Sequence, residues 1–240
     1  MNIRNIVLLS VLLSLCGLAF PISNWLYSDA SPSYNFNPNS RQAISWLDKQ
    51  VTALKQQAGN IDPKVLRLSL IAYLNARKKG YDDKQLLTVI DYSKPSSDRR
   101  LWVFDLKSGK ALFNTWVSHG KNSGGTNANS FSNSSGSLKS RIGVFLTAEP
   151  YIGGNGYSLR MKGLERGVND NAYSRNVVIH GAWYVNTDTI KKYGQIGRSW
   201  GCPAVSLSLS RALIDTIKQN TVVFAYYPDR RWLNSSAYLA

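Results

Sequence analysis

Apolar residues recur along this chain with two different periods, and the change of period divides it. Ala43, Ile44, Leu47, Val51 and Leu54 stand three and four positions apart, the spacing that lines one face of a helix. Asp62-Pro63 then offers an N-cap aspartate followed by proline at the first helical position. Val65, Leu66, Leu68, Leu70, Ile71 and Leu74 carry the second helical pattern, which ends in a basic turn at Gly80. These signals predict a helical hairpin within 41–85. It carries no evident chemistry, and either caps the main domain or meets a partner.

From Leu86 onward the period falls toward two. Strands are expected over 88–92, 101–106, 111–118, 142–148, 157–162, 176–179 and 221–227. Asp105-Leu106-Lys107-Ser108-Gly109-Lys110 and Gly153-Gly154-Asn155-Gly156 supply turn chemistry for two hairpins. Leu209, Ala212, Leu213 and Ile217 mark one late helix, with Ser206 or Ser208 as its cap. The expected fold is mostly β (α+β), a barrel or sandwich over 86–230 with a tail at 231–240. Residues 121–140 are dense in Ser, Gly and Asn, and their length suits either a lid beside a site or a disordered loop.

Ahead of the hairpin, 20–40 reads as a linker, its stretch from Ser23 to Asn39 rich in Ser, Asn and Pro. Residues 1–19 read as a signal peptide or membrane anchor. Arg4 gives a basic start, Ile6 to Ala19 is almost wholly apolar, and Gly17-Leu18-Ala19 offers small residues for cleavage. The run is short for a membrane span, and Leu15 is bulky where lipid attachment at Cys16 would want a small residue. Cleavage near Ala19 is the leading reading, with membrane attachment through an uncleaved N-terminus as the alternative. About 220 residues would remain, enough for one generous domain. The composition is globular, at 43% hydrophobic. The net charge of +15 either keeps the protein soluble or calls for an anionic partner. Its lysines and arginines are scattered and no nucleic-acid motif is present, so an exported chain would more naturally meet an anionic wall polymer or lipid surface.

Two cysteines are present, and Cys16 lies in the apolar leader. Cys202 would then be unpaired in an exported protein: inert in a core, an intermolecular cross-link, or a nucleophile. It sits in Gly197-Arg198-Ser199-Trp200-Gly201-Cys202-Pro203-Ala204, and His180 ends the strand-like run Val177-Val178-Ile179-His180-Gly181. A nearby imidazole can take the thiol proton, leave a thiolate–imidazolium pair and return the proton to a leaving amine. No acidic residue adjoins His180, so a backbone carbonyl, that of Gly181, is the candidate for holding its tautomer. Backbone N–H groups around Gly201 and Cys202 could serve an oxyanion. Ser199 could orient the loop, Arg198 or Arg160 could meet a substrate carboxylate, and His119 competes with His180 as base. Taken singly, a lone cysteine is more often structural and a lone histidine more often an ordinary core or surface residue. Two histidines, one retained cysteine and no clustered carboxylates make a poor metal site, and no cofactor is expected.

His180-Gly181 followed by Ser199-Trp200-Gly201-Cys202 resembles the signature of L,D-transpeptidases with a YkuD-type catalytic domain. More closely, Ile90-Asp91-Tyr92-Ser93, Ser118-His119-Gly120-Lys121-Asn122-Ser123-Gly124, Phe131-Ser132-Asn133 and Ser158-Leu159-Arg160 resemble the murein L,D-transpeptidase catalytic domain branch. The resemblance spans about 86–227. It implies a β-rich catalytic fold, Cys202 as nucleophile, His180 as base and Gly181 as its carbonyl partner. It also implies a cofactor-free exported enzyme of the periplasm or cell envelope that cleaves and re-ligates peptidoglycan stem peptides through a thioester. Inactivation by carbapenem-type β-lactams would follow. Trp200 departs from the commoner pattern, which has a second histidine there, and Pro203 follows the cysteine. Water in place of the acceptor amine would give an L,D-carboxypeptidase, and a degenerate site would give a wall-binding module. Sortases want an arginine on a strand shortly after the cysteine, whereas Arg211 falls in the expected helix. NlpC/P60-type peptidases place cysteine before histidine, the reverse of the order here.

Overall fold

The architecture comes from a computed structural model, which describes residues 40–240. The expected leader at 1–19 and nearly all of the linker lie outside the described residues. Helix α1 (Arg41–Ala58) starts at Ser40, whose hydroxyl accepts the Ala43 N–H, and α2 (Pro63–Lys78) starts at Asp62, which accepts the Lys64 N–H. Strands β1 (Leu86–Asp91), β2 (Leu101–Asp105) and β3 (Lys110–Thr115) follow, then β4 (Gly143–Gly153), β5 (Gly156–Gly163) and β6 (Val178–Ala182). Helix α3 (Thr187–Tyr193) precedes β7 (Ala204–Ser206), α4 (Leu207–Ile217), β8 (Val222–Tyr226) and α5 (Arg230–Ser235).

The strands form one sheet in the order β3-β2-β1-β8-β4-β5-β6-β7. β8 is the last strand in sequence but central in space. Its Val-Val-Phe-Ala-Tyr run is buried throughout, as a strand covered on both faces requires. It runs parallel to β1 and antiparallel to β4. Both hairpins form where turn chemistry marked them, with Asp105 opposite Lys110 and Gly153 opposite Gly156. Two edges would remain, at β3 and β7, but the chain beyond β3 folds across to β7. Ser118 N–H donates to Ala204 O at 2.8 Å, Ser199 N–H to His119 O at 2.9 Å, and Lys121 N–H to Ser199 O at 2.8 Å. The sheet is thereby nearly closed into a barrel, and the mostly β expectation holds.

Side-chain alternation sorts the sheet into two apolar clusters. Leu87, Val89, Trp102, Phe104, Val222 and Phe224 face the helical hairpin. Ile90, Leu101, Val103, Val223 and Ala225 face the other way, against Leu213, Ile214 and Ile217 of α4. The hairpin is therefore one layer of the main core, and the Trp102 indole donates to Ala58 O at 3.0 Å. Ile44 is the exception on α1 and stands 43% exposed, Gln50 taking a place on the buried face. Ala212 likewise points outward, and Ile214 occupies the buried face of α4.

Four features differ from the sequence expectation. β7 is only three residues long, too short for an alternating pattern to register. α3 and α5 add to the one late helix expected; both are short, and α3 buries no residue. Residues 121–140 hold defined turns, with Ser140 N–H donating to Ser123 Oγ at 2.8 Å and Phe131 packed between Tyr92 and Tyr227. The expected tail at 231–240 is docked: Trp232 and Tyr238 are buried in the hairpin-side cluster. Its anchor is buried Glu165, which accepts the Trp232 indole N–H at 3.1 Å, the Val144 N–H at 2.7 Å and the Ser236 hydroxyl. Trp232→Ala, which empties an aromatic site, should cost about 3–5 kcal/mol of stability by urea unfolding. Trp232→Phe, which keeps a ring but forfeits the bond to Glu165, should cost less, about 1–2 kcal/mol.

Candidate active site

Cys202 and His180 reach one place because two short parallel strands pair in register. His180 on β6 lies opposite Ala204 on β7, and Gly181 opposite Val205. Cys202 sits two residues before that pair, on the loop that feeds β7. Gly181 lets α4 approach β6 closely, since a Cβ there would collide with Ser210 and Leu207.

The loop is fixed by Ser199. Its hydroxyl donates to Cys202 O at 2.6 Å and accepts the Gly201 N–H at 3.0 Å. Gly201 has φ 121°, a conformation glycine tolerates, and a Cβ there would strike Lys139 O. The Gly201 N–H is thus committed within the loop. Cys202 N–H, for which no acceptor is present among the described residues, is the backbone donor beside the sulfur.

A cavity of about 520 Å³ opens over this loop, lined by Cys202, His180, Ser199, Arg198 and Trp200 together with Arg175, Asn176 and Tyr184. Ser135, Gly136 and Leu138 of the 121–140 segment form its opposite wall. That segment is clasped to the 169–171 turn by Asn133 and Asn171, Asn171 N–H donating to Asn133 Oδ1 at 3.2 Å. Trp200 is 78% exposed at the rim, with Lys121 Nζ 5.9 Å from its ring centre.

His180 Nδ1 is 2.9 Å from Gly181 O. A carbonyl only accepts, so Nδ1 carries the proton and Nε2 is the basic nitrogen. Burial lowers the His180 pKa, opposed by the bond to Gly181. Cys202 is half-buried and is the free cysteine among the described residues. Burial raises its thiol pKa, opposed by the Val178 backbone and the Arg175 charge. Both shifts run toward the uncharged forms, because burial penalises the charged state of each group.

Two sequence candidates lie elsewhere. His119 is fully buried on the barrel seam, where Arg100 Nη2 donates to its Nδ1 at 2.7 Å. A guanidinium has no lone pair to offer, so Nδ1 accepts and cannot also hold a proton. Burial and the Arg100 charge hold the His119 pKa down to about 4. Arg160 lies outside the cavity lining, its Nε 3.3 Å from Glu149 and its Nη1 donating to Asn176 Oδ1 at 2.8 Å. Conversely, Arg175, Asn176 and Tyr184 went unread in the sequence. The signal available for the first two was a polar turn immediately before the strand that carries His180.

A nearly closed β barrel with a helical layer on one side and a cysteine and histidine sharing a cleft at one end is a YkuD-type catalytic architecture. The chain belongs to the L,D-transpeptidase catalytic domain family, which it matches over residues 57–226, so the domain takes in α2 and the last residues of α1. No curated protein matches. Among solved structures, it is similar to an L,D-transpeptidase from Mycobacterium smegmatis at 15% identity, over 60% of this chain and 59% of that one, with a TM-score of 0.36. An L,D-transpeptidase from Stackebrandtia nassauensis is 12% identical over 84% of this chain and 99% of that one, with a TM-score of 0.36. The chain spans about three-fifths of the length of the first of these. Likenesses this distant leave the assignment resting on the family match.

If His119 serves the seam and not proton transfer, His119→Asn, which retains an acceptor for Arg100, should keep turnover within about threefold. It should also flatten the stability profile on the acid side. A neutral buried imidazole loses stability as pH falls from about 6.5, where the unfolded histidine gains its proton, toward about 4, where the folded one does. The expected slope is up to about 1.4 kcal/mol per pH unit for each such group, read by urea unfolding at stepped pH.

Proposed function

We propose that this protein is a cysteine L,D-transpeptidase acting on peptidoglycan stem peptides. The observation that carries the reading is the placement of Cys202 and His180 in one cavity, with the His180 tautomer set by Gly181. His180 Nε2 takes the thiol proton as Sγ attacks the carbonyl carbon of an L-centre joined to a D-residue. Cys202 N–H faces the developing oxyanion. The intermediate collapses as the imidazolium protonates the departing D-residue's nitrogen, leaving a thioester. An acceptor amine then attacks, its proton passes to His180, and the thiol leaves with that proton. The substrate lies outside the cytoplasm, so the reading places the domain at the cell envelope, delivered by the apolar 1–19 segment. Among the described residues no helix is long and apolar enough to cross a membrane.

In this reading the resting pair is uncharged. A slow-reacting thiol then does not distinguish an enzyme from a wall-binding module, because a general base can deliver the thiolate only at the moment of attack. Products decide instead. With defined tetrapeptides, mass analysis should show cross-linked dimers, and Cys202→Ala should lower their formation at least about 10³-fold with the unfolding midpoint unchanged. Tripeptide without dimers would make the enzyme a carboxypeptidase, unchanged dimer formation in Cys202→Ala would remove Cys202 from the mechanism, and no turnover by wild type would favour the wall-binding module.

Alkylation of Cys202 by iodoacetamide should rise with an apparent pKa above the usual thiol value near 8.5. The acid limb of turnover should fall below pH 6.5, since protonating a histidine of lowered pKa removes the base. A thiol inflection near pH 5 would contradict the neutral pair.

A further inference from the structure

We propose that Arg175 binds the free α-carboxylate of the D-residue that Cys202 expels, so that the donor must end at that residue. The proposal rests on the transpeptidase reading and names what that site selects. Among the described residues no carboxylate lines the cavity and two arginines do, which suits an anion. Arg198 is committed to the lid segment, its Nη1 donating to Gly124 O at 3.1 Å. Arg160 is occupied by Glu149 and Asn176 outside the cavity. Arg175 differs from both. Its Nη1 is buried without a hydrogen-bond partner among the described residues, although the residue lines the cavity.

The backbone sets the turn that carries Arg175 beside the reacting sulfur. Arg175 N–H donates to Asn171 O at 3.0 Å, and Val177 N–H to Ala172 O at 2.9 Å, closing the turn on both sides of it. The next residue, Asn176, adopts φ 53°, and its carbonyl lies 3.7 Å from Cys202 Sγ. Asn176 is held in turn by Arg160. Arg175 and Cys202 line the same cavity, and the Arg175 charge opposes the upward shift that burial gives the thiol.

That proximity matches one carboxylate of the donor. In a stem whose last residue leaves, the terminal carboxyl carbon is two bonds from the scissile nitrogen. A group that reads it must sit beside the nucleophile, not at the cavity rim. A guanidinium pairs such a carboxylate through a charge-assisted fork that a carboxamide cannot reproduce.

The test compares a tetrapeptide donor with its C-terminal carboxamide, using the full chain and reading kcat/KM by product mass. Wild type should prefer the free acid by about 10- to 100-fold. Arg175→Ala should bring that ratio to near one, and Arg175→Lys should restore part of it. An equal fall for both donors, with the ratio unchanged, would overturn the proposal and leave Arg175 a role in thiol acidity or in the fold. Should Arg175→Ala unfold, Arg175→Gln carries the same comparison.

Calorimetry in the Cys202→Ala background separates this proposal from the reading beneath it. Acid-selective binding that is lost with Arg175 would support the carboxylate site even if wild type forms no dimers. Equal binding of acid and amide would overturn the site while leaving transpeptidation standing.

Discussion

The seam that closes the sheet is the constraint on which the site depends. Eight strands in this order end at β3 and β7, and the 117–121 segment joins those ends through Ser118, His119 and Lys121 to Ser199 and Ala204. Beneath the seam lies Arg100, fully buried and without a carboxylate partner. A buried guanidinium is tolerable only when its donors are met. Here Val117 O takes Nε and Nη2 at 3.1 and 2.9 Å, Lys94 O takes Nη1 at 2.8 Å, and His119 Nδ1 takes Nη2. The contacts to Val117 and His119 tie Arg100 to the stretch of chain that forms the seam. The seam then holds Ser199, Ser199 holds Gly201 and the Cys202 carbonyl, and the sulfur's position follows from a charge it does not touch.

Burial that orders this region also sets its electrostatics. The same desolvation that raises the Cys202 thiol lowers the His180 imidazole, so burial favours the uncharged form of both. Charge in the cleft comes from Arg175 and Arg198, with no acid to offset them. An anionic substrate entering such a cleft meets fixed positive charge in a partly desolvated setting, where an ion pair is stronger than in bulk water. In the proposed mechanism catalysis would draw on differential stabilisation: thiolate and imidazolium would arise as the carbonyl is attacked, when Cys202 N–H can favour the new negative charge.

Much of this was legible in the sequence because it rests on local rules. Helix α2 announced itself through Asp62-Pro63, the hairpins through their turns, and the core through alternation in β1, β2 and β8. Cys202 and His180 stood out by scarcity and glycine neighbours. What stayed hidden depends on contacts between distant segments. β7 has three residues and borrows its order from β6 and the seam. Ile44 reads as core by spacing yet is exposed, because the rows of α1 that meet β3 and α2 run through Ala43, Leu47, Gln50 and Leu54. The tail looked unattached because its anchor, Glu165, lies far away in sequence. Arg160 and Arg175 have the same side chain; only the presence of Glu149 beside one and a cavity beside the other tells them apart.

The departure at Trp200 takes its meaning from the placement of His119. A site with two histidines can divide its proton transfers, one imidazole accepting from the nucleophile and another serving the leaving group. Here the rim position is an indole, which neither gives nor takes a proton in this range, and the other histidine of the chain has its Nδ1 occupied by a guanidinium. His180 is the remaining imidazole, and its Nδ1 is occupied by Gly181 O, so in the proposed mechanism a single nitrogen would accept the thiol proton and then release it to the departing amine. That arrangement requires a base whose pKa is not raised, since an imidazolium that held its proton too firmly would stall the second transfer. A neighbouring carboxylate would raise that pKa, whereas a neutral carbonyl orients the ring with less increase in basicity. The use of a peptide carbonyl in place of an acid beside His180 is therefore consistent with the demand that one nitrogen serve both directions of transfer.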